Sequence, residues 1–526
     1  MAAEASADVG TGLGRSRLAA FGRLQGQRIR RLGWGVADQA VSSLTNAAVS
    51  IYVARTLGAV QFGAFTLAYV TYSIALNASR GLATDPLMVR FSGADLPAWR
   101  RAVASCTGTA TAVGLAAGAC VLAVAPLLGG TTRVAFLALG VTLPGLLLQD
   151  SWRYSFFALG RGHQAFLNDL VWASTLVPAL VFLRVTGHAN VFWFVLAWGA
   201  TAAVAAAVGP LQARVIPRLS GAKGWVSRHR DLGPRYLGEN TANSASNQLR
   251  TYGAGVILGL AAVGYMQAAI ILMGPFMVIF LGMSLVTVPE AARILRRSPR
   301  HLPLFCLLVS GGLSVLGLAW GVALLVALPR GLGNWLLGAI WRPAYPLVLP
   351  LTIWVIGGCV IAGAAAGLHA LGAARRSLRA MILASAVYVA FSLAGAVTGG
   401  AIGTMRGAAV ATWIGALLWW WELRAALQKP DKATARNLSG SRHYAPRHRS
   451  SVRNRAGRPL DTRPRPQLDP RYFRQPDPPP PWQLDPRYLG LPDRPQPPHL
   501  PDARLRRLPD CPQPSQALRP DERKDA

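Results

Sequence analysis

Eight ionisable side chains interrupt long apolar runs in this 526-residue sequence: Asp38, Arg55, Arg80, Asp150, Arg153, Asp169, Glu239 and Arg250. Where no water reaches, a charged group must be paired, hydrogen-bonded or open to a hydrated cavity. Arg55 and Arg80 lie near opposite ends of their runs; snorkelling accounts for Arg55 and competes with binding at Arg80. Arg153 and Arg250 lie deeper, and a guanidinium there requires an anion, either a carboxylate of the chain or a phosphate of a ligand held bidentately. Asp150 stands three residues before Arg153, so an ion pair along one helix is the plain account of both. Asp38 and Glu239 sit one to two turns inside their runs. They could bind Na⁺ or a proton and couple its release to a conformational change, or pair with Arg80 or Arg250. Cys106, Cys120, Cys306, Cys359 and Cys511 are scattered without metal-ligand spacing, which predicts no metal site and no disulfide framework.

The elements that must position these groups are membrane helices. Only 14% of the residues are charged and 52% are apolar, against about a quarter charged in soluble domains. Runs such as "PLFCLLVSGGLSVLGLAWGVALLVAL" exceed the ~20 residues that span a bilayer. The periodicity predicts twelve spanning helices, near 33–57, 61–84, 101–128, 133–158, 164–186, 189–212, 235–259, 262–288, 303–328, 343–371, 378–399 and 402–426. The N-terminus shows no compact apolar core with a cleavage site, so no removable signal peptide is expected. Alternate connections hold most of the Arg, from Arg15–Arg31 through Arg90, Arg100, Arg101 and Arg161. The basic run continues over 214–235 and 293–300 to Arg375, Arg376 and Arg379. The opposite connections hold little beyond Arg133, Arg330 and Arg342. That asymmetry predicts a multi-pass protein with both termini in the cytoplasm. Arg in large excess over Lys, with abundant Ala and Gly, suggests a GC-rich bacterial genome and hence the bacterial cytoplasmic membrane. The net charge of +32 then points to anionic membrane lipids rather than nucleic acid.

Sliding the sequence against itself by 201 residues aligns Asp38 with Glu239, Ser43 with Ser244 and Asn46 with Asn247. It also aligns Leu57-Gly58 with Leu258-Gly259 and Gly63 with Gly264. An internal repeat of six helices, an even number, makes two parallel halves with a site between them. The expected fold is therefore all-α, with twelve helices in two parallel six-helix pseudo-repeats around a central cavity. The expected divisions are a basic segment at 1–32, a first bundle at 33–212, a basic linker at 213–234, a second bundle at 235–426 and a tail at 427–526. Asp38, Ser42, Asn46 and Ser50 share one face of the first helix, and Glu239, Asn243, Asn247 and Arg250 share the matching face of the seventh. Thr66, Tyr69, Ser73, Asn77 and Arg80 follow helical spacing on the second. Such faces avoid lipid. They either bond between packed helices or line a hydrated cavity, which makes Asn46, Asn77, Asn243 and Asn247 candidate lining residues.

The tail holds more than half of the 37 prolines and a short duplication, "QLDPRYFRQPD" and "QLDPRYLGLPD". Its composition predicts disorder, serving as a spacer, a lipid-hugging segment or a docking site for a cytoplasmic partner. No P-loop, nucleotide-binding glycine pattern, HExxH or acid pair in a soluble domain is present, which favours a carrier over an enzyme. No cofactor is expected, apart from coupling to Na⁺ or protons.

"LTNAAVSIYVARTLGAVQFGAFTLAYVTYSIAL" and "LLLQDSWRYSFFALGRGHQAFLND" resemble the first hairpin and the fourth-to-fifth helix segment of bacterial polysaccharide flippases. Those proteins belong to the multidrug/oligosaccharidyl-lipid/polysaccharide (MOP) exporter superfamily. A second "ALG" at 370–372 echoes the one at 158–160. The resemblance covers 30–425 and implies alternating access by two rocking bundles. It further implies a cationic cavity that receives the pyrophosphate and sugars of a polyprenyl-linked oligosaccharide. Arg80, Arg153 and Arg250 are the residues it nominates for phosphate, and Asp38 and Glu239 those it nominates for ion coupling. Arg80 departs from the repeat, because its counterpart is Leu281. A cation-coupled multidrug exporter, a lipid II flippase and a flippase-derived scaffold for glycan synthesis or polymerisation proteins are the other readings.

Overall fold

The computed structural model describes residues 45–428; Asp38, the N-terminal segment and the tail lie outside the described residues, as does the side chain of Asn243. Every regular element among the described residues is a helix. Eight helical stretches are long and apolar enough to cross a membrane, and three of them are two helices joined end to end. Gly58 (φ 73°) separates α1 (45–57) from α2 (59–91). After these come α3 (Leu96–Val124), α4 (Gly130–Ala158), α5 (Gly162–Val185) and α6 (Val191–Ala213). A short helix, Ala222–Arg228, then leads to α7 (Gly233–Leu258). α8 was expected to be continuous but comes in two pieces, Leu260–Leu272 and Gly274–Arg297. Pro275 has no N–H to donate and its ring crowds the carbonyl of Ile271, which breaks the helix at Met273. α9 (Leu302–Ala327) and α10 (Trp341–Leu371) flank a bent connection, and α11 (374–398) meets α12 (401–428) at Gly399-Gly400. Twelve long helices result among the described residues, with the two pieces of α8 taken as one. α7 is too polar to be recognised by hydropathy, but it is helical throughout "ENTANSASNQLR".

The two halves repeat in backbone as well as in sequence. Gly58 and its counterpart Gly259 both adopt positive φ, 73° and 80°, a conformation that L side chains resist. Each ends the first helix of its half. Gly160 and Gly372, at φ 74° and 69°, likewise follow the fourth helices α4 and α10 at the two "ALG" sequences. Gly63 and Gly264 show the relation most directly. A Cβ on Gly63 would overlap the backbone carbonyl of Leu260, and one on Gly264 would overlap that of Ala59. Ala59 and Leu260 are themselves repeat partners, so this is one contact made twice about a pseudo-twofold axis.

The core is divided unevenly between the two ends of the molecule. Around the Gly58 and Gly259 turns a single apolar cluster runs through both halves, from Val53, Phe62 and Phe194 to Met266, Leu347 and Leu351. At the opposite end, where the basic connections lie, the core separates. One cluster belongs to the first half around Trp99 and Trp152, another to the second half around Leu302 and Leu368. There α2 and α7 meet through polar bonds: Asn77 Nδ2 donates to Ser244 Oγ at 2.6 Å and Asn240 Nδ2 to Asp85 Oδ2 at 2.8 Å. Arg90 and Asp231 pair at 2.6 Å beside them.

Candidate functional site

A cavity of about 370 Å³ opens inside the first half. α2 supplies Tyr69, Tyr72 and Arg80, α4 supplies Gln149, Asp150, Arg153 and Tyr154, and α5 and α6 supply Asp169, Trp172 and Trp198. Asn46 of α1 completes the wall. Helical spacing brings Asp150, Arg153, Tyr154 and Phe157 onto one face of α4, because residues three, four and seven apart share a face. On α2 a π-helical turn begins at Arg80, closed by a bond from the Asp85 N–H to the Arg80 carbonyl. The wider turn holds an extra residue, so the direction of the side chains changes there. Arg80 faces the cavity, whereas Asp85 reaches Asn240 on α7.

The charges form one network. Arg80 donates from Nε and Nη2 to the two carboxylate oxygens of Asp150, at 3.0 and 2.7 Å. Arg153 Nε lies 3.0 Å from Asp169 Oδ2, and its Nη1 is 3.9 Å from Asp150. Gln149 Nε2 donates to Asp169 Oδ1 at 2.8 Å. The pairing of Arg153 along its own helix, one of the accounts the sequence allowed, is present as the 3.9 Å approach to Asp150, while the nearer partner of each Arg is an Asp on another helix. Asp150 therefore serves Arg80, and neither Asp38 nor Glu239 is needed for that purpose. The partnered side chains differ in exposure: Arg80 keeps 28% of its surface, while Asp150 and Asp169 keep 5% and 1%. Asp150 takes one edge of the Arg80 guanidinium, and the Arg80 Nη1 carries no hydrogen bond among the described residues. Tyr154 stacks beneath it, 5.0 Å from ring centre to Cζ. Trp198 forms the aromatic floor, 5.0 Å edge-on to Tyr72 and 5.9 Å from Tyr69.

The remaining candidates are scattered. Asn77 is spent on the α2–α7 contact, and Asn247 Oδ1 accepts from Tyr388 OH at 3.0 Å. These are the packed-helix bonds that the polar faces also allowed. Arg250 is 3% exposed in the second half, away from the cavity. Its guanidinium lies over Trp354 and Tyr388, at 5.4 and 5.9 Å, with Met405 Sδ 3.8 Å from Nη1. Aromatic faces are a recognised setting for a guanidinium. Glu239 is exposed on α7, and Arg55 does more than snorkel, donating to the Trp335 carbonyl at 2.6 Å across the two halves. The aromatic lining was not anticipated beyond Tyr69. Its signal was present in "QDSWRYSFF", which places Tyr154 and Phe157 one turn beyond Asp150 and Arg153. A second cavity of about 220 Å³ lies between α1, α2 and α8 and shares Asn46 and Tyr69 with the first.

No protein-family model matches this sequence, and no curated protein sequence matches it significantly. Solved structures do match. An inward-facing multidrug resistance MATE family transporter of the MOP superfamily superposes with a TM-score of 0.58 at 15% identity, over 74% of this chain and 96% of that one. The lipid II flippase MurJ, in an inward closed conformation, gives 0.57 at 10% identity over 78% and 91%. The crystal structure of a MATE point mutant gives 0.52 at 14% identity over 77% and 97%. At such identities the likeness concerns the fold, and with twelve long helices in two parallel halves, this multi-pass membrane protein has the fold of the MOP-superfamily exporters.

Proposed function

We propose that this protein is a flippase that moves a polyprenyl-pyrophosphate-linked oligosaccharide across the cytoplasmic membrane by alternating access, for export of an exopolysaccharide or cell-wall glycan. The observation that carries the reading is the lining of the first-half cavity. Aromatic walls and a few fixed polar groups are what a sugar requires, with stacking for its faces and hydrogen bonds for its hydroxyls. The uncommitted edge of Arg80 supplies donors for a phosphate oxygen. Asn46 and Tyr69 line both this cavity and the one between α1, α2 and α8, and two adjoining cavities suit an elongated lipid-linked substrate. The divided core supports rocking, because an apolar seal at one end and hydrogen bonds at the other can exchange as the halves tilt.

Two buried carboxylates beside aromatic rings also suit a cation, which keeps a cation-coupled multidrug exporter as the second reading. Purified protein in proteoliposomes separates the two. A fluorescent polyprenyl-pyrophosphate oligosaccharide is expected to cross in minutes, and Arg80→Gln is expected to slow it about tenfold, the loss of one charge-assisted bond. Transport of a cationic dye that survives Arg80→Gln and is abolished by Asp150→Asn, without movement of the lipid-linked glycan, would establish the second reading. Removal of residues 430–526 is expected to leave translocation in the vesicles unchanged. Loss of glycan export in cells on that deletion alone would instead give the chain a scaffold role through its tail.

A further inference from the structure

The linker between the halves contains an ordered element that the transport reading does not use. Arg218 N–H donates to the Ala104 carbonyl at 2.8 Å, and a Cβ on Gly108 would overlap the Arg218 backbone, so the chain lies directly on α3. The helix Ala222–Arg228 follows and is pinned by Trp225, which is 1% exposed. Trp225 stacks on Phe91 at 5.8 Å and on His229 at 4.1 Å. Burial holds the His229 pKa below its ordinary value, so the ring packs as a neutral aromatic.

Pinned in this way, the helix stands off from α3 and leaves a groove of about 520 Å³ between them. Its α3 wall is Thr109, Ala112, Val113 and Ala116, within the stretch from Ser105 to Leu128 that has no charged residue. This wall therefore lies in the apolar part of the span, about two to four turns from Arg101 at its basic end. The opposite wall presents Val226, with Lys223 and Ser227 at the rim. Lys223 is exposed, forms no ion pair among the described residues and is the only Lys between 45 and 428. Every other permanent cation there is Arg, whose rigid fork is less suited to following a mobile headgroup than a flexible ammonium stem.

We infer that this groove is a binding site for one anionic phospholipid. An acyl chain lies against Ala112, Val113, Ala116 and Val226, and the headgroup phosphate meets the Lys223 ammonium and the Ser227 hydroxyl. Charge complementarity selects the occupant, since an apolar slot at the membrane surface with a lone cation at its mouth matches a lipid with a net negative headgroup. The site would fix the linker to the bilayer surface while the halves move.

Native mass spectrometry of the purified full-length protein tests this, with phosphatidylglycerol and phosphatidylcholine competing in mixed micelles. The wild type is expected to retain one phosphatidylglycerol with about fivefold preference, the effect of one basic side chain at an anionic surface. Lys223→Gln is expected to abolish the preference, Lys223→Arg to keep most of it, and Ala112→Phe to displace the lipid by filling the slot. Arg297→Gln, an exposed basic residue in the second half, serves as the control for diffuse charge and is expected to change nothing. Thermal unfolding in lipid-free micelles confirms that the variants are folded. Equal retention of both lipids by the wild type, or equal loss in Lys223→Gln and Arg297→Gln, overturns the inference.

Discussion

Asp169→Ala is expected to lower the unfolding free energy by about 3–5 kcal/mol and to abolish transport, because it removes one partner of a buried ion pair, the carboxylate beside Arg153. Asp169 is 1% exposed, pairs with Arg153 Nε at 3.0 Å and accepts from Gln149. Removing it leaves the 3.9 Å approach of Arg153 to Asp150 Oδ1, an oxygen that already accepts from Arg80. The loss then reflects the uncompensated charge that remains, not the worth of the pair. A second variant makes that distinction measurable. Arg153→Met combined with Asp169→Leu removes both charges and keeps the volume, so its stability should return to within about 1–2 kcal/mol of the wild type, as apolar replacements of buried pairs often do. Transport should not return, because the cavity has lost a polar group that faces substrate. Denaturant unfolding of the wild type and both variants, with the proteoliposome assay in parallel, gives both numbers. If the double variant is as unstable as Asp169→Ala, the network is a scaffold whose geometry matters more than its charge. If it transports normally, Arg153 and Asp169 play no part in the site.

That network shows where sequence reading succeeds and where it stops. The depth of Arg153 and the presence of Asp150 and Asp169 were legible, because charges inside apolar runs stand out against composition. Their pairing was not, since Arg80 and Asp150 are 70 residues apart and their meeting depends on how α2 packs against α4. Arg250 illustrates the same limit. Its burial was legible, but its aromatic surroundings come from α10 and α11, more than a hundred residues away, and no local pattern announces a ring stacked on a guanidinium. The repeat was legible because its evidence is local. A helix must end at Gly58 and Gly259 with a backbone conformation that other residues resist, so the glycines mark the turn in both copies. The break at Met273 was legible in principle from Gly274-Pro275, but the continuous hydropathy of α8 conceals it.

The glycine contact between the halves carries the other large effect. Gly63→Ala or Gly264→Ala places a methyl group on a backbone carbonyl of the opposite half. Backbone cannot turn away as a side chain can, so α2 and α8 must separate at the end where the core is continuous. Overpacking of this kind costs about 1–3 kcal/mol. Set against the state sealed at that end, it lowers the population of that state about 5- to 150-fold. Transport that requires both states should fall correspondingly, while the isolated packing of each half is untouched. Because Gly63 and Gly264 serve one contact made twice about the axis, the double variant should be barely worse than either single, as expected for coupled neighbours. Spin labels at exposed Val60 and exposed Leu281, each paired with a label in the opposite half, report the separation at the two ends of the molecule. The single variants are expected to widen the first distance distribution and narrow the second, in step with the loss of transport. Unchanged distances with full transport would mean that the contact gives way without cost, and that the two halves do not seal at this end in any state the cycle requires.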